Sequence, residues 1–107
     1  PSRENCDEWV CNWIDKYESI YGNSPNIGSA YGYMYADITA KAIEIAGSDL
    51  NVDSFTRGLE SIDNYEMPFG ESVLSWGPDK HLGSSDAYLF VVEEGRFVRA
   101  DSMKYEY

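Results

Sequence analysis

Apolar residues recur three and four positions apart in the first part of the chain, and this spacing predicts an amphipathic helix. The helix is expected over residues 6–21, and Gly22 follows it at a position typical of a left-handed C-cap. The apolar stripe of this helix comprises Trp9, Val10, Trp13, Ile14, Tyr17, Ile20 and Tyr21. The opposite side of the helix is polar, so one face is expected to pack against the rest of the protein.

A second helix is predicted to begin between Asn26 and Tyr31 and to end at Gly47. One face of it carries Ile27, Tyr31, Met34, Tyr35, Ile38, Ala42 and Ile45. The other side is mostly small or apolar and carries Tyr33, Ala36, Ala40 and Ile43. Two short neighbouring helices cannot cover a helix that is apolar on both sides. We therefore expect that this helix needs packing partners beyond those that the chain itself supplies.

A third, short helix is predicted after Asp53, which is a plausible N-cap, and it carries Phe55, Leu59 and Ile62. Gly58 lies inside this helix, where it costs about 1 kcal/mol relative to Ala. A glycine at that cost predicts close contact with another element.

After Gly70 the pattern becomes that of strands and turns. Residues 71–76 predict one strand, residues 77–83 a loop, and residues 86–93 a near-continuous apolar strand. Residues 94–95 predict a tight turn, and residues 96–100 an antiparallel return strand. Residues 102–107 fit either a fraying end or an edge strand. A strand that is apolar on both alternations is normally covered on both faces, which this chain can hardly achieve.

The charge balance excludes several classes of function. The 107 residues include 19 acidic and 8 basic side chains, for a net charge of −11. This charge opposes binding to nucleic acid or to anionic lipid, and no apolar run approaches the ~20 residues of a membrane helix. The length corresponds to a single domain.

The two cysteines, Cys6 and Cys11, are too few to define a disulfide scaffold or a zinc site. Within one helix their separation gives about 7.5 Å of rise, beyond the ~7 Å limit between bridged Cα atoms. A disulfide would need a non-helical start near Cys6 or a partner elsewhere. The interpretation we favour is two unpaired thiols.

No constellation of residues predicts an enzyme. His81 is the single histidine, with Asp79 and Asp86 nearby, but a metal or acid–base site needs a third convergent group. The sequence contains neither a nucleophile elbow nor a phosphate-binding glycine loop after a strand. We therefore predict no catalytic residue, no metal and no cofactor, and we expect a structural role for His81.

The tyrosines at the start of the second helix are the better candidates for binding. Tyr31 and Tyr35 share its apolar face, so core packing is expected of both. Tyr33 points the other way, where its ring and hydroxyl could line a cleft. The free backbone N–H groups of a helix N-terminus could also meet an anionic ligand such as a carboxylate.

Five motifs, in order, resemble the periplasmic binding proteins that serve branched-chain amino-acid-type ABC transporters. Residues 13–26 resemble the family's "F…Y…YG…P" segment, and residues 30–47 its "GYDA…A…AG" helix. Residues 55–62 resemble its "L…AL" helix, residues 73–83 its "hxF-pDxHxG" strand and turn, and residues 87–98 its closing hairpin. The chain departs from the pattern at Met34 and Tyr35, where the family often has Asp-Ala, and in its two cysteines.

The resemblance implies a partial α/β fold of the periplasmic-binding-protein type, with about three helices followed by an antiparallel strand and hairpin in an incomplete lobe. The chain would be the C-terminal portion of a bilobal receptor. Residues 1–70 would form a helical part of the first lobe, and residues 71–107 a crossover strand and hairpin. Ser29, Tyr31 and Tyr33 are the candidate ligand-binding residues, and Gly77 and Pro78 the candidate hinge.

The implied function is capture of a small solute, an amino acid or a related compound, for import through a membrane permease of the ABC type. The expected location is periplasmic or extracellular, with any membrane anchor in a missing N-terminal part. The isolated fragment is expected to self-associate. The alternative is an acidic interaction module that binds a basic protein partner. A long reading frame upstream of Pro1 would favour the receptor. A stop codon or a signal peptide directly before Pro1 would favour the interaction module.

Overall fold

The structure is a computed structural model that describes residues 3–70, 72–100 and 105–106. A short 3-10 helix, Arg3–Asn5, precedes three α-helices, which are α1 (Glu8–Tyr21), α2 (Ile27–Ala46) and α3 (Val52–Glu60). Short antiparallel strand pairs follow: β1 (Tyr65–Glu66) with β2 (Val73–Leu74), β3 (Asp86–Ala87) with β6 (Tyr105–Glu106), and β4 (Phe90–Glu93) with β5 (Arg96–Arg99). The predicted order of three helices and then antiparallel strands is confirmed.

Helix α1 begins later than predicted, because Asp7 caps it. The Asp7 carboxylate accepts a hydrogen bond from the Val10 N–H at 2.8 Å, which leaves Cys6 outside the helix. The Cα atoms of Cys6 and Cys11 therefore lie 5.4 Å apart, and the two residues form a disulfide. The interpretation of two unpaired thiols is thus wrong. Gly22 ends the helix in the left-handed conformation, as predicted.

Helices α2 and α3 both start with a capping box, in which the side chain of the N-cap residue and that of the N3 residue each accept a hydrogen bond from the other residue's backbone N–H. In α2 the pair is Asn26 and Ser29, and Gly47 is the C-cap, so the predicted limits are confirmed. In α3 the pair is Asn51 and Ser54, so the prediction of Asp53 as N-cap is wrong. Asp53 instead lies in the first helical turn, where its charge favours the helix dipole.

The core lies between α2, α3 and the β1–β2 pair. Its buried members are Met34, Ile38, Ala42, Ile62, Tyr65 and Leu74, with Phe55, Leu59, Met67 and Trp76 packed around them. Gly58 lets α3 approach α2 closely, since a Cβ atom there would overlap the carbonyl oxygen of Ala42. The close contact predicted from Gly58 is confirmed.

The strands are shorter than the sequence predicts. Of the strand expected over residues 71–76, only β2 is extended, and Glu71 lies outside the described residues. The strand expected over residues 86–93 is split at Tyr88 and Leu89 into β3 and β4. In the C-terminal segment, β6 pairs with β3 as an edge strand, while residues 102–104 and 107 lie outside the described residues.

The chain is flat and open rather than closely folded on itself. Its radius of gyration is 16.3 Å, against about 13 Å for a compact domain of this length. Its accessible surface is 7759 Å², against about 6,000 Å² for a folded monomer of this mass. The second side of α2, with Ala36, Ala40 and Ile43, is exposed, and so is the β4–β5 hairpin. The expectation that these surfaces lack cover from the chain's own elements is confirmed.

Candidate functional site

Tyr33 lies at the centre of an aromatic cluster between α1, α2 and the segment after β1. Its ring centre lies 5.6 Å from that of Trp9, 5.9 Å from Trp13 and 5.8 Å from Phe69. Trp13 and Phe69 also contact each other, at 4.6 Å between ring centres. Edge-to-face contacts of this kind fix the orientation of the rings, so Tyr33 forms a rigid wall.

One side of Tyr33 faces a groove between α1 and α2, which we call the α1–α2 groove. It has a volume of about 370 Å³, within the range of small-molecule sites. It is lined by Trp13, Lys16, Tyr17, Ile20, Tyr21, Ser29, Gly32 and Tyr33. Aromatic and aliphatic surface therefore predominates, and the polar groups are two phenols besides Tyr33, one hydroxyl and one ammonium group.

Ser29 joins the two helices at this groove. Its hydroxyl donates to the Tyr17 hydroxyl at 3.0 Å and accepts from the Asn26 backbone N–H at 3.3 Å. The residue thus caps α2 and fixes the Tyr17 ring on α1. The Tyr33 hydroxyl, by contrast, makes no hydrogen bond to another residue within the described part of the chain, and the side chain is 37% exposed.

Tyr31 lies away from the α1–α2 groove. It lines a smaller apolar groove of about 170 Å³ with Ile27, Ala30, Met34, Met67 and Phe69. Its ring stacks on Tyr35 at 6.0 Å between centres, and both side chains are exposed. The expectation that Tyr31 and Tyr35 pack in the core is therefore wrong, because Ala30, Met34 and Ile38 take the buried positions of α2. The structure brings Ser29 and Tyr33 together and leaves Tyr31 apart.

The other side of Tyr33 faces a polar depression beside Asp37 and Lys41. The buried Tyr65 donates its hydroxyl proton to Asp37 at 2.9 Å, and the Lys41 ammonium group lies 3.9 Å from the same carboxylate. Burial, and then the hydrogen bond to Asp37, raise the pKa of Tyr65. The phenol therefore stays neutral and acts as a donor that holds the Asp37 carboxylate in place.

Several groove residues were not predicted as site residues. Trp13 and Tyr17 could have been found, because they share the α1 stripe that faces α2. Lys16 lies on the polar side of α1, so the sequence pattern does not indicate it as a site residue. Phe69 does not line this groove but packs on Tyr33 from 36 positions away in the chain, and helical periodicity cannot show such a contact.

The proposed hinge residues lie in a tight turn after β2. Gly77 and Lys80 exchange two backbone hydrogen bonds of 3.0 Å, and Pro78 is exposed. The loop then returns to β2, where the Ser75 N–H donates to the Gly83 carbonyl oxygen at 2.9 Å.

His81 is exposed, with its Nε2 3.0 Å from the Glu60 carboxylate. Within residues 3–70, 72–100 and 105–106, no group of three His, Cys, Asp or Glu side chains could hold a metal ion.

The family follows from comparison with known proteins. Residues 8–96, which include α1 to α3, the aromatic cluster and the hairpin strand β4, match the family model described as "Periplasmic binding protein". The chain belongs to the periplasmic binding protein family. No curated protein and no solved structure matches it. The resemblance seen in the sequence is thus confirmed for the family as a whole.

Periplasmic binding proteins of this type bind solutes and are not enzymes, so the general solute-binding role and the prediction of a non-enzyme both stand. The family points to a periplasmic or extracellular location. Among the helices that the structure describes, none combines the length and the apolar character that a membrane crossing requires.

Proposed function

We propose that this periplasmic binding protein is the C-terminal portion of a two-lobed receptor of the branched-chain amino-acid type. Residues 1–70 would belong to the first lobe, and residues 71–107 would supply a crossover strand and a hairpin. The proposal is supported by the family match over residues 8–96 and by the exposed apolar surface of α2 and the hairpin. The match also favours this function over an acidic module for a basic partner.

The solute would be an amino acid or a related compound, and the α1–α2 groove would form one wall of its site. The observation that carries this proposal is the fixed Tyr33 ring, whose hydroxyl faces no described hydrogen-bond partner while the ring borders a groove of about 370 Å³. The surrounding rings suit an aliphatic or aromatic side chain, and the Lys16 ammonium group suits a carboxylate. Tyr31 stays a prediction for a separate contact in its own groove.

The permease of an ABC transporter would be the partner that receives the solute. Closure of the two lobes around the solute would change the surface that the permease contacts, with the energy difference set by solute contacts. Gly77 and Pro78 are proposed to lie at the crossover, where a turn between two strands can take up a change in backbone angles. The isolated chain would instead cover its apolar surface by self-association.

The test is solute binding by the natural protein that contains these residues. Trp13 lines the groove, so intrinsic fluorescence should change on titration with L-leucine, L-valine or L-phenylalanine. Tyr33→Phe removes one hydrogen bond and should weaken binding about tenfold. Tyr35→Phe is the matched control, since Tyr35 is on the same helix and is 62% exposed.

Two results would overturn the proposal. If none of the three amino acids binds at millimolar concentration, the solute class is wrong. If an amino acid binds but Tyr33→Phe and Tyr35→Phe both retain the wild-type affinity, the α1–α2 groove is not the solute-binding wall. Weaker binding in Tyr33→Phe alone supports the proposal.

A further inference from the structure

The polar depression beside Asp37 and Lys41 is a concave surface that the solute proposal does not use. Its volume is about 550 Å³, and it lies on the opposite side of Tyr33 from the α1–α2 groove. Among the residues that the structure describes, its lining comes from α1, α2 and residues 62–68 alone. The lining carries three carboxylates and one ammonium group, so its charge attracts a cation and opposes an anion.

The Asp37 carboxylate is held in place and still has room for further hydrogen bonds. Its Oδ2 accepts from the hydroxyl of Tyr65, whose side chain is buried, at 2.9 Å. A carboxylate offers about four acceptor positions, and within the described part of the chain Asp37 uses only this one. The Asp63 carboxylate in the same depression is engaged on both oxygens, by the Ser75 hydroxyl and the Asn64 amide. Asp37 is therefore a fixed acceptor with free capacity toward the depression.

Two aromatic rings border the same depression as this carboxylate. Trp9 and Tyr33 both line it, with ring centres 5.6 Å apart in an edge-to-face arrangement, and Trp9 is 44% exposed. The face of an aromatic ring attracts a cation, most strongly for Trp, and also packs against an alkyl chain. A carboxylate beside exposed rings therefore suits an ammonium group that is attached to a short carbon chain.

The side chain of Lys41 places an ammonium group of the chain itself at this position. Its Nζ lies 3.9 Å from Oδ2 of Asp37 and 5.9 Å from the centre of the Tyr65 ring. The distance of 3.9 Å is too long for a hydrogen bond, and the Lys41 side chain is half exposed. Exposed ion pairs of this kind contribute little to stability, so the ammonium group of a ligand can displace Lys41 at low cost.

We propose that the polar depression binds a primary alkylamine. The ammonium group of the ligand takes the place of the Lys41 ammonium group and donates hydrogen bonds to the Asp37 carboxylate. The carbon chain of the ligand packs against the rings of Trp9 and Tyr33. This proposal does not rest on the proposed function, because of these groups the α1–α2 groove shares only Tyr33. A failed amino-acid titration leaves the amine site standing, and a failed amine titration leaves the amino-acid site standing.

The test is calorimetric titration of the natural protein that contains these residues with n-butylamine at neutral pH, where the amine is protonated. Binding should saturate below about 10 mM, and 1-butanol, which has the same carbon chain without the charge, should bind at least about tenfold more weakly. Asp37→Asn keeps an acceptor for the Tyr65 hydroxyl but removes the charge, and it should weaken butylamine binding at least about tenfold. Asp49→Asn is the matched control, because Asp49 is exposed and does not line the depression.

A second variant makes the opposite prediction and keeps the test valid if Asp37→Asn fails to fold. Lys41→Gln removes the competing ammonium group and should strengthen butylamine binding about two- to fivefold. Lys80→Gln is its matched control, because Lys80 is exposed, lies outside the depression and gives the same change in charge. The proposal is overturned if the wild type shows no saturable binding, if 1-butanol binds as tightly as butylamine, or if either variant has the same affinity as its control.

Discussion

Gly58 gives the most quantitative test of the packing that positions the groove helices. An alanine Cβ at this position would overlap the Ala42 carbonyl oxygen and would lie 3.3 Å from the Ala42 carbonyl carbon and 3.4 Å from the Ala46 nitrogen. All three are backbone atoms of α2, so no side chain can move to make room. Accommodating the methyl group requires α3 to shift away from α2 and the core between them to loosen.

The expected magnitude follows from two opposing effects. Overpacking costs about 1–3 kcal/mol, and overlap with an immobile backbone carbonyl oxygen belongs in the upper part of that range, about 2–3 kcal/mol, while the better helix propensity of alanine returns about 1 kcal/mol. We therefore expect Gly58→Ala to reduce the free energy of unfolding by about 1–2 kcal/mol, which lowers Tm by about 5–15 °C in a domain of this size.

Gly32→Ala is the matched control for this prediction. Gly32 is also helical and exposed, and a Cβ atom there meets nothing within 4 Å. Only the propensity effect applies, so this variant should gain about 0.5–1 kcal/mol. Urea and thermal unfolding followed by circular dichroism at 222 nm measure both variants. A Gly58→Ala protein as stable as the wild type would refute the close contact between α2 and α3.

Two further predictions concern the buried Tyr65, which holds Asp37 in place, and the Cys6–Cys11 disulfide at the start of α1. Burial and the hydrogen bond to Asp37 raise the pKa of Tyr65 above its unfolded value of about 10, so the unfolded chain loses this proton first. The stability that Tyr65 contributes is therefore complete below about pH 10 and is lost as the pH rises further. In urea unfolding above about pH 10, Tyr65→Phe should lose less free energy of unfolding than the wild type does. Tyr35→Phe is the control and should lose as much as the wild type. Cys11→Ser opens the short disulfide loop at the start of α1 and should lower the free energy of unfolding by up to about 2 kcal/mol in the same assay. The pH effect of Tyr65→Phe should be the same with and without this disulfide.

Local signals allowed the helices to be predicted well. Asn26, Gly22 and Gly47 are residues whose backbone or side chain preference marks a helix end, and the structure uses them so. The α3 start was misplaced because Asn51 and Asp53 are both good caps. The choice falls on Asn51 since Ser54, three residues later, completes its capping box, a signal that the sequence did contain.

The disulfide and the groove depended on relations that local patterns do not show. Whether Cys6 reaches Cys11 is decided by Asp7, which caps the helix so that it begins two residues later than predicted and leaves Cys6 outside it, within bonding distance of Cys11. The burial of α2 could not be read from its apolar positions, because α2 has more of them than the chain can cover. Ala30 and Met34 are therefore buried while Tyr31 and Tyr35, one residue further along, remain exposed.

Helical periodicity correctly placed Tyr33 away from the core face of α2. In the structure its ring contacts aromatic rings on α1 and on the segment after β1. Behind the α1–α2 groove its ring packs on Phe69, which comes from a loop distant in the sequence. Helical periodicity can show which side of a helix a residue occupies, but tertiary packing alone decides what it meets there.

Hydrogen exchange in the natural protein, with and without a saturating amino acid that it binds, tests most directly whether the α1–α2 groove is a solute-binding wall. Solute contact should slow exchange at the start of α2, around Ser29 and Tyr33, relative to the middle of α3. Slower exchange confined to other parts of the protein, with the amides around Ser29 and Tyr33 unchanged at saturation, would contradict the assignment of this groove.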